Sequence, residues 1–363
     1  MAGAVLEIDG SRHSGSGTIV RQAAAFSALT GRAVHVVNAR VRRPQPGLRH
    51  QHVRVVEAIR DLVNGTAEGL APGSREFWFK PGTIQTGRRY VWDIGTAGST
   101  TMLGVALLPV LAFASAPVDI ELRGGLFQDF APSFFHVESV LMPLLRRMGF
   151  EAAVSMGRPG YVPRGEGVLS LSARPVSGSL CPLRLDRRRE LRRIWGIALS
   201  SHLEQRRVSE RMQQAAQDFL GARGYRAEIE IRHDRHALQP GAACALFADS
   251  DEGIRLGADR AGALRRSAES IGRHVAQQLL VDWHSGATLD RFATDQIVPF
   301  TALAEGQSRF RIPEVTDHLQ TCAWLAELFC GAKITIDGQL LTIDGVGYQR
   351  GRPAVNKDSD GEQ

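Results

Sequence analysis

The sequence predicts a mixed α/β protein with a small inserted domain, and three observations carry that reading. Segments with apolar residues at helical spacing alternate with segments whose apolar residues fall on every second position. The two kinds follow one another three times, as a strand, an amphipathic helix and two strands ending in a glycine turn. The second and third copies stand about 105 residues further apart than the first and second, which implies an insertion. At 363 residues the chain is long for a single core, and 43% hydrophobic with 23% charged residues is an ordinary folding composition.

The first copy takes the alternating run 34–39, a helix over 51–63 and a strand over 76–80. Its helix carries Val55, Val56, Ile59, Leu62 and Val63 on one stripe, and Asn64-Gly65 stops it. The second takes 118–122, a helix over 134–148 and strand pieces near Ala152 and Val168. The third takes 310–312, a helix over 319–329 and strands at Ile334 and Leu341. Between them a strand over 194–199, a helix over 208–220, alternating strands over 227–231 and 243–247 and a long helix from Arg265 suffice for a compact α/β unit. The expected layout is a large domain over 1–182 holding two copies, an inserted domain over 183–283, the third copy over 284–351 and a polar tail over 352–363.

Lysine and arginine (44) exceed aspartate and glutamate (38) by six. The sequence pI of about 9.5 is compatible with attraction to polyanions or with an arginine-rich composition of no functional meaning. Cys181, Cys244, Cys322 and Cys330 form no C-x-x-C pair and no disulfide framework, so a reducing cytoplasm is expected. MAGAVLEIDG lacks a basic segment followed by an apolar one, so no secretory signal is expected. The apolar stretch 102–116, interrupted by Gly104 and Pro109, is too short for a bilayer.

Four segments could carry chemistry. In 8–17, Asp9-Gly10-Ser11-Arg12-His13-Ser14-Gly15-Ser16-Gly17 precedes a helix bearing Arg21. Glycines and a helix start suit an anion, but the spacing fits neither the Walker nor the dinucleotide fingerprint, so an ordinary turn remains open. Arg40, Arg42, Arg43 and Arg49 surround a Pro-Gly loop before a helix, either as a phosphate clamp or as a solvated basic loop. Gly95 to Thr101 opens an apolar helix as a second anion cradle or as a simple cap. In Thr316-Asp317-His318-Leu319-Gln320-Thr321, Asp317 and Gln320 have capping-box spacing. His318 then sits in the first helical turn, where positive potential favours the neutral, nucleophilic imidazole; a surface histidine beside a cap is the alternative. His233 and His236 complete no metal spacing, and Arg184, Arg187, Arg188, Arg189, Arg192 and Arg193 are either an RNA-facing surface or a solvated face.

In their order along the chain, IDGSRHSGSGTIVRQA, RVRRPQPGLRHQHV, FKPGT, IGTAGST, RGG followed by AP and MPLL, PGYVPRGEG, FATDQIVP and DHLQT resemble the RNA 3′-terminal phosphate cyclase family, over nearly the whole chain. The resemblance implies three strand–helix units like those of the enolpyruvyl transferases, with a small inserted domain. It also implies ATP-dependent conversion of an RNA 3′-phosphate into a 2′,3′-cyclic phosphate. By that resemblance His318 attacks the α-phosphate of ATP to give a histidyl–AMP, AMP passes to the RNA end, and the 2′-hydroxyl displaces it. Arg21, Arg40, Arg43 and Gln51 would grip the triphosphate or the RNA end. Phe292, Ala293, Thr294, Asp295 and Gln296 would hold the adenosine, and a divalent metal, magnesium or manganese, would assist.

The chain departs from the family pattern at several positions. Ser14 replaces a metal-binding glutamate, so the metal ligands are unknown, and Val105 replaces a glutamine that approaches the nucleotide. Cys322, Glu166, Leu126 and Phe135 also replace commoner residues. Two other functions stand beside cyclisation: a cyclase-like RNA or ribonucleoprotein binder without full catalysis, and enolpyruvyl transfer, for which no phosphoenolpyruvate site is readable.

Overall fold

The computed structural model describes residues 5–85, 89–187 and 190–350. Arg188, Arg189 and the tail over 352–363 lie outside them. The first unit runs β1 (Leu6–Asp9), α1 (Gly17–Thr30), β2 (Val34–Val37), α2 (His50–Val63), β3 (Thr66–Glu68) and β4 (Phe77–Lys80). The second runs β5 (Tyr90–Asp93), α3 (Thr100–Leu111), β6 (Val118–Gly124), α4 (Phe134–His136), α5 (Met142–Arg147), β7 (Glu151–Arg158) and β8 (Gly167–Arg174). The third sheet begins with β9 (Arg184–Leu185). Then come β10 (Leu191–Ser201), α6 (Val208–Gly221), β11 (Ala227–Asp234), β12 (Gly241–Ser250), β13 (Arg255–Ala261) and α7 (Ala268–His284). The chain returns through α8 (Arg291–Leu303), β14 (Glu305–Arg311), α9 (Asp317–Cys330), β15 (Lys333–Asp337) and β16 (Leu340–Val346).

Among the described residues, three of the four sheets share one strand permutation: β1-β2-β4-β3, β5-β6-β8-β7 and β9-β14-β16-β15. In each, the first two strands pair in parallel, the second pairs antiparallel with the fourth, and the third closes the edge antiparallel. The repeated unit is therefore β-α-β-α-β-β. The strand–helix–strand–strand recurrence read from sequence is its last four elements, and β1–α1, β5–α3 and β9–α8 precede them. A crossover helix follows each parallel pair's first strand, as parallel pairing requires.

The remaining elements, β10 to α7, form their own sheet in the order β11-β10-β12-β13, with α6 and α7 packed on it and on each other. This insert interrupts the third unit between its first strand and first helix. Leu185 pairs with Phe310 in the third sheet, so the segment displaced from the repeat starts after β9, rather than at residue 183. Strand β13 has no apolar alternation and is not expected from sequence. Helix α7 starts at Ala268 instead of Arg265 because Ser267 caps it, accepting from the N–H of Ser270 at 3.1 Å, while Arg265 holds a left-handed φ of 64°. The single helix expected over 134–148 is broken by a π turn, Val137–Leu141, where the N–H of Met142 reaches back to the Val137 carbonyl just before Pro143.

Helix α1 is buried along nearly its whole length and packs against α2, α3 and α9, while α8 packs against α3 and α9. These helices bring the starts of α1, α2, α8 and α9 towards one region, where the candidate residues gather. Among the described residues, no helix is long and apolar enough to cross a membrane.

Candidate active site

The turn between β1 and α1 is built by short polar side chains. Asp9 accepts from the backbone N–H and hydroxyl of Ser11, each at 2.9 Å, and from Asn38 Nδ2 at 3.1 Å. These bonds, led by the Ser11 N–H, hold its carboxyl below the usual range despite some burial. Ser16 caps α1 by accepting from the N–H of Thr18 at 3.2 Å. Gly17 allows close packing: a Cβ there would overlap the His52 ring of α2, lying 2.6 Å from Cδ2, and would sit 3.2 Å from Arg21 Nη1. His52 is only 3% exposed, and its Nδ1 accepts the N–H of Arg49 at 3.1 Å. Burial, with the charges of Arg21, Arg40 and Arg49 behind it, drives the His52 pKa down to about 2, so the ring is neutral.

Helix α9 meets this loop from the far end of the sequence. Its cap is Thr316, whose Oγ1 accepts from the N–H of Leu319 at 3.0 Å. Asp317, given the cap role by its spacing to Gln320, is instead the first helical residue. His318 occupies the first turn as expected. Its Nδ1 lies 2.9 Å from Thr18 Oγ1, and Arg21 Nη2 donates to the same oxygen at 3.1 Å. Burial and the charges of Arg21 and Arg43 pull the His318 pKa down to about 4, against a small opposing effect of Asp317. The imidazole is thus neutral at neutral pH.

Arg21 is itself brought down to about 10 by burial, with Asp295 and Cys322 opposing and Arg40 adding to the shift. Asp295 is pushed up to about 7 by burial, although Gln296 Nε2 donates to it at 3.0 Å and Arg21 favours its charge. Arg40 adopts a left-handed φ of 57°, which folds its Nη1 onto the carbonyls of Gln45 and Gly47 at 3.0 and 2.6 Å. Burial, Arg49 and Arg43 all lower its pKa. Arg42 donates to the His13 carbonyl at 3.1 Å, tying the two basic segments together. His318, Arg21, Arg40, Arg43 and Asp295 therefore share one electrostatic neighbourhood.

Other expected residues lie elsewhere or act differently. Gln51 Oε1 accepts the N–H of Ser99 at 3.1 Å, so this side chain joins α2 to the Gly95–Thr101 turn. That turn is a helix cap, with Ser99 Oγ accepting from Met102 N–H at 3.0 Å. Val105 is buried within α3, whose residues are all buried, and takes part in the core. Phe292 to Gln296 form the first turns of α8. Their N-cap Asp290 is fully buried and accepts from Phe292 N–H (2.9 Å), Ala293 N–H (2.8 Å), Gly257 N–H of the insert (2.9 Å) and His136 Nε2 (3.0 Å). Burial pushes the Asp290 pKa up, but His136 and these N–H donors outweigh it and the carboxyl stays below its ordinary value. His136 is raised in turn by Asp290 against its own burial. Sequence reasoning missed this pair because its members are 154 positions apart; a cap aspartate before FATDQ is the only local signal.

Three of the other candidates lie beside carboxylates. Arg193 contacts Asp249 at 3.0 Å, His233 lies 3.6 Å from Glu210 and His236 lies 3.3 Å from Asp234.

The described residues do not fit a carboxylate-held divalent metal. Ser14 turns its hydroxyl to Ser16 Oγ and Thr321 Oγ1, both at 2.9 Å, and its N–H donates to Thr321 at 3.2 Å. The position thus stitches the first glycine loop to α9. Among the described residues no three His, Cys, Asp or Glu side chains converge as a metal site.

A neutral imidazole in a helix's first turn, set among guanidinium groups on an α/β scaffold, defines a site suited to phosphate chemistry. The chain belongs to the RNA 3′-terminal phosphate cyclase family, whose family model matches residues 12–336. A relative named RNA 3′-terminal phosphate cyclase from Methanopyrus kandleri is 38% identical over 341 residues, covering 92% of this chain and 96% of its own. One of the same name from Pyrococcus furiosus is 36% identical over 331 residues, covering 91% and 95%, and one from Pyrobaculum neutrophilum is 35% identical over 347 residues, covering 94% and 99%. The enolpyruvyl transferase NikO of Streptomyces tendae aligns at a TM-score of 0.24 and 12% identity, over 94% of this chain and 51% of that one.

Proposed function

We propose that this chain uses ATP to convert an RNA 3′-phosphate into a 2′,3′-cyclic phosphate, with His318 as the nucleophile. One observation carries the reading: the His318 ring is neutral, fixed through Nδ1, and flanked by Arg21 and Arg43. A lone pair on Nε2 attacks the α-phosphorus of ATP; the Nε2–P bond forms, and pyrophosphate departs with the electrons of the broken P–O bond. An oxygen of the RNA 3′-phosphate then takes AMP from the ring. The ribose 2′-hydroxyl attacks the activated 3′-phosphorus, loses its proton and expels AMP. A phosphate monoester lacks a good leaving group, and adenylylation supplies one.

Arg21, Arg40 and Arg43 supply the fixed positive charge that this sequence of pentacoordinate phosphoryl centres needs. Arg21 begins on Thr18 and has its remaining N–H groups for phosphate oxygens. Gln51 supports the triphosphate from the side by fixing the Gly95–Thr101 turn, and the α8 entrance at Phe292 to Gln296 takes the adenosine. No step is assigned to a protein-held metal; magnesium or manganese would enter on the nucleotide's own phosphates. The four cysteines are free thiols, which supports a reducing, cytoplasmic setting.

Ser14 in place of a carboxylate is the observation that favours the second reading, an RNA-binding relative with weakened catalysis. The two are separated by RNA ending in a 3′-phosphate: with ATP, wild type should make its end resistant to phosphatase, and His318→Ala should not. Binding of the RNA without end conversion would favour the second reading.

A further inference from the structure

We propose that Thr18 is a positioning residue for the nucleophile, accepting the Nδ1 proton of His318 and so keeping the lone pair on Nε2. The inference rests on the reading of His318 as nucleophile given above. A neutral imidazole has one N–H, and the ring attacks only through the nitrogen that lacks it. Thr18 Oγ1 lies 2.9 Å from Nδ1. Arginine can only donate, so the 3.1 Å contact from Arg21 Nη2 occupies one lone pair of that oxygen. The second lone pair is open to Nδ1–H; the opposite polarity, with the Thr18 O–H donated to Nδ1, would put the ring proton on Nε2 and is the outcome that overturns the proposal.

The placement is built into the fold rather than left to side-chain chance. Ser16 caps α1 through the N–H of Thr18 itself, and Thr18 is only 3% exposed. Thr316 fixes the first turn of α9. Ser14, in the loop before α1, bonds to Thr321, one turn further along α9. Two helix starts 300 positions apart thus meet at a hydroxyl and a ring.

The bond also follows the charge through the reaction. When Nε2 bonds to the α-phosphorus, the ring becomes cationic while its Nδ1 proton stays in place, and pyrophosphate leaves with the electron pair of the broken P–O bond. A hydrogen bond from a charged donor is stronger than one from a neutral donor. Thr18 therefore helps the transition state more than the ground state, which is the condition for an effect on rate instead of on binding.

Two measurements test this. In wild-type protein labelled with ¹⁵N-histidine, the His318 resonances, assigned by their loss in His318→Ala, should report the Nδ1–H tautomer near neutral pH; an Nε2–H tautomer overturns the proposal. In single-turnover assays with α-labelled ATP, Thr18→Val should slow enzyme-adenylate formation by roughly 10- to 100-fold with little change in the ATP concentration giving half-maximal rate. Thr18→Ser should stay within about threefold of wild type. Equal rates for Thr18→Val and wild type would contradict it. Should Thr18→Val fail to fold, the tautomer of wild type still decides. Absence of any adenylate on wild type would instead remove the His318 reading on which the proposal stands, and the tautomer measurement separates the two failures.

Discussion

Gly17→Ala puts the closest packing in the site under direct strain. The added Cβ would overlap the His52 ring, 2.6 Å from Cδ2 and 3.2 Å from Arg21 Nη1. His52 is nearly enclosed and cannot simply turn outward. The ring nitrogen Nε2 lies closer still, so to reach ordinary contact the ring must shift by more than about 1 Å, and forcing extra volume into packed surroundings costs about 1–3 kcal/mol. The shift also strips the Arg49 N–H of its acceptor, about 1 kcal/mol more. Alanine's better helix propensity returns roughly 1 kcal/mol. The expected net loss is about 1–3 kcal/mol, read by urea unfolding. A double-mutant cycle with His52→Ala makes the test specific: if the overlap is the cause, the double variant should lose less than the two single variants together. Wild-type stability for Gly17→Ala, or strict additivity, would refute the reasoning.

Two further outcomes follow from the charges. Protonation removes the His318 nucleophile, and burial with Arg21 and Arg43 pulls its pKa to about 4. Enzyme-adenylate formation should therefore hold nearly flat from neutral pH down to about pH 5, where an ordinary histidine would already be mostly protonated; a midpoint near the ordinary 6.5 would contradict the electrostatic account. Asp290→Asn leaves His136 and three N–H donors without a carboxylate and should lower stability by about 3 kcal/mol or more. The Asp290 pKa is depressed, so its contribution is present above the ordinary 3.8 and fades in acid; that of His136 is raised, so its share is present below 6.5 and fades as pH rises. Wild type should exceed the variant most between those values in pH-dependent urea melts, and a difference that does not vary with pH would count against the pair.

What was legible in the sequence is what local pattern controls. The stripe over Val55, Val56, Ile59, Leu62 and Val63 gave α2 its extent because one helix face is buried, and the Thr316–Gln320 segment placed His318 in a first turn. Local pattern failed where partners or neighbours decide. Strand β13, Arg255–Ala261, carries charges along its length and exists because β12 pairs with it. Two-residue β9 has no signal of its own and is defined by β14. Val105 stands in a helix apolar on every side, so no periodicity shows which neighbour it faces. The contacts that make the site, Thr18 with His318, Ser14 with Thr321 and His136 with Asp290, each join residues more than 150 positions apart. Spacing could nominate His318 and Arg21 separately; only the meeting of α1 and α9 shows that they share Thr18.

The central claim is that His318 carries the nucleotide. Incubating wild type with α-labelled ATP and magnesium or manganese, then mapping the acid-labile, base-stable label by peptide, tests it directly. The account predicts label on the peptide containing His318 and none on His318→Ala; label on another residue, or on the His318→Ala protein at the wild-type level, would contradict it.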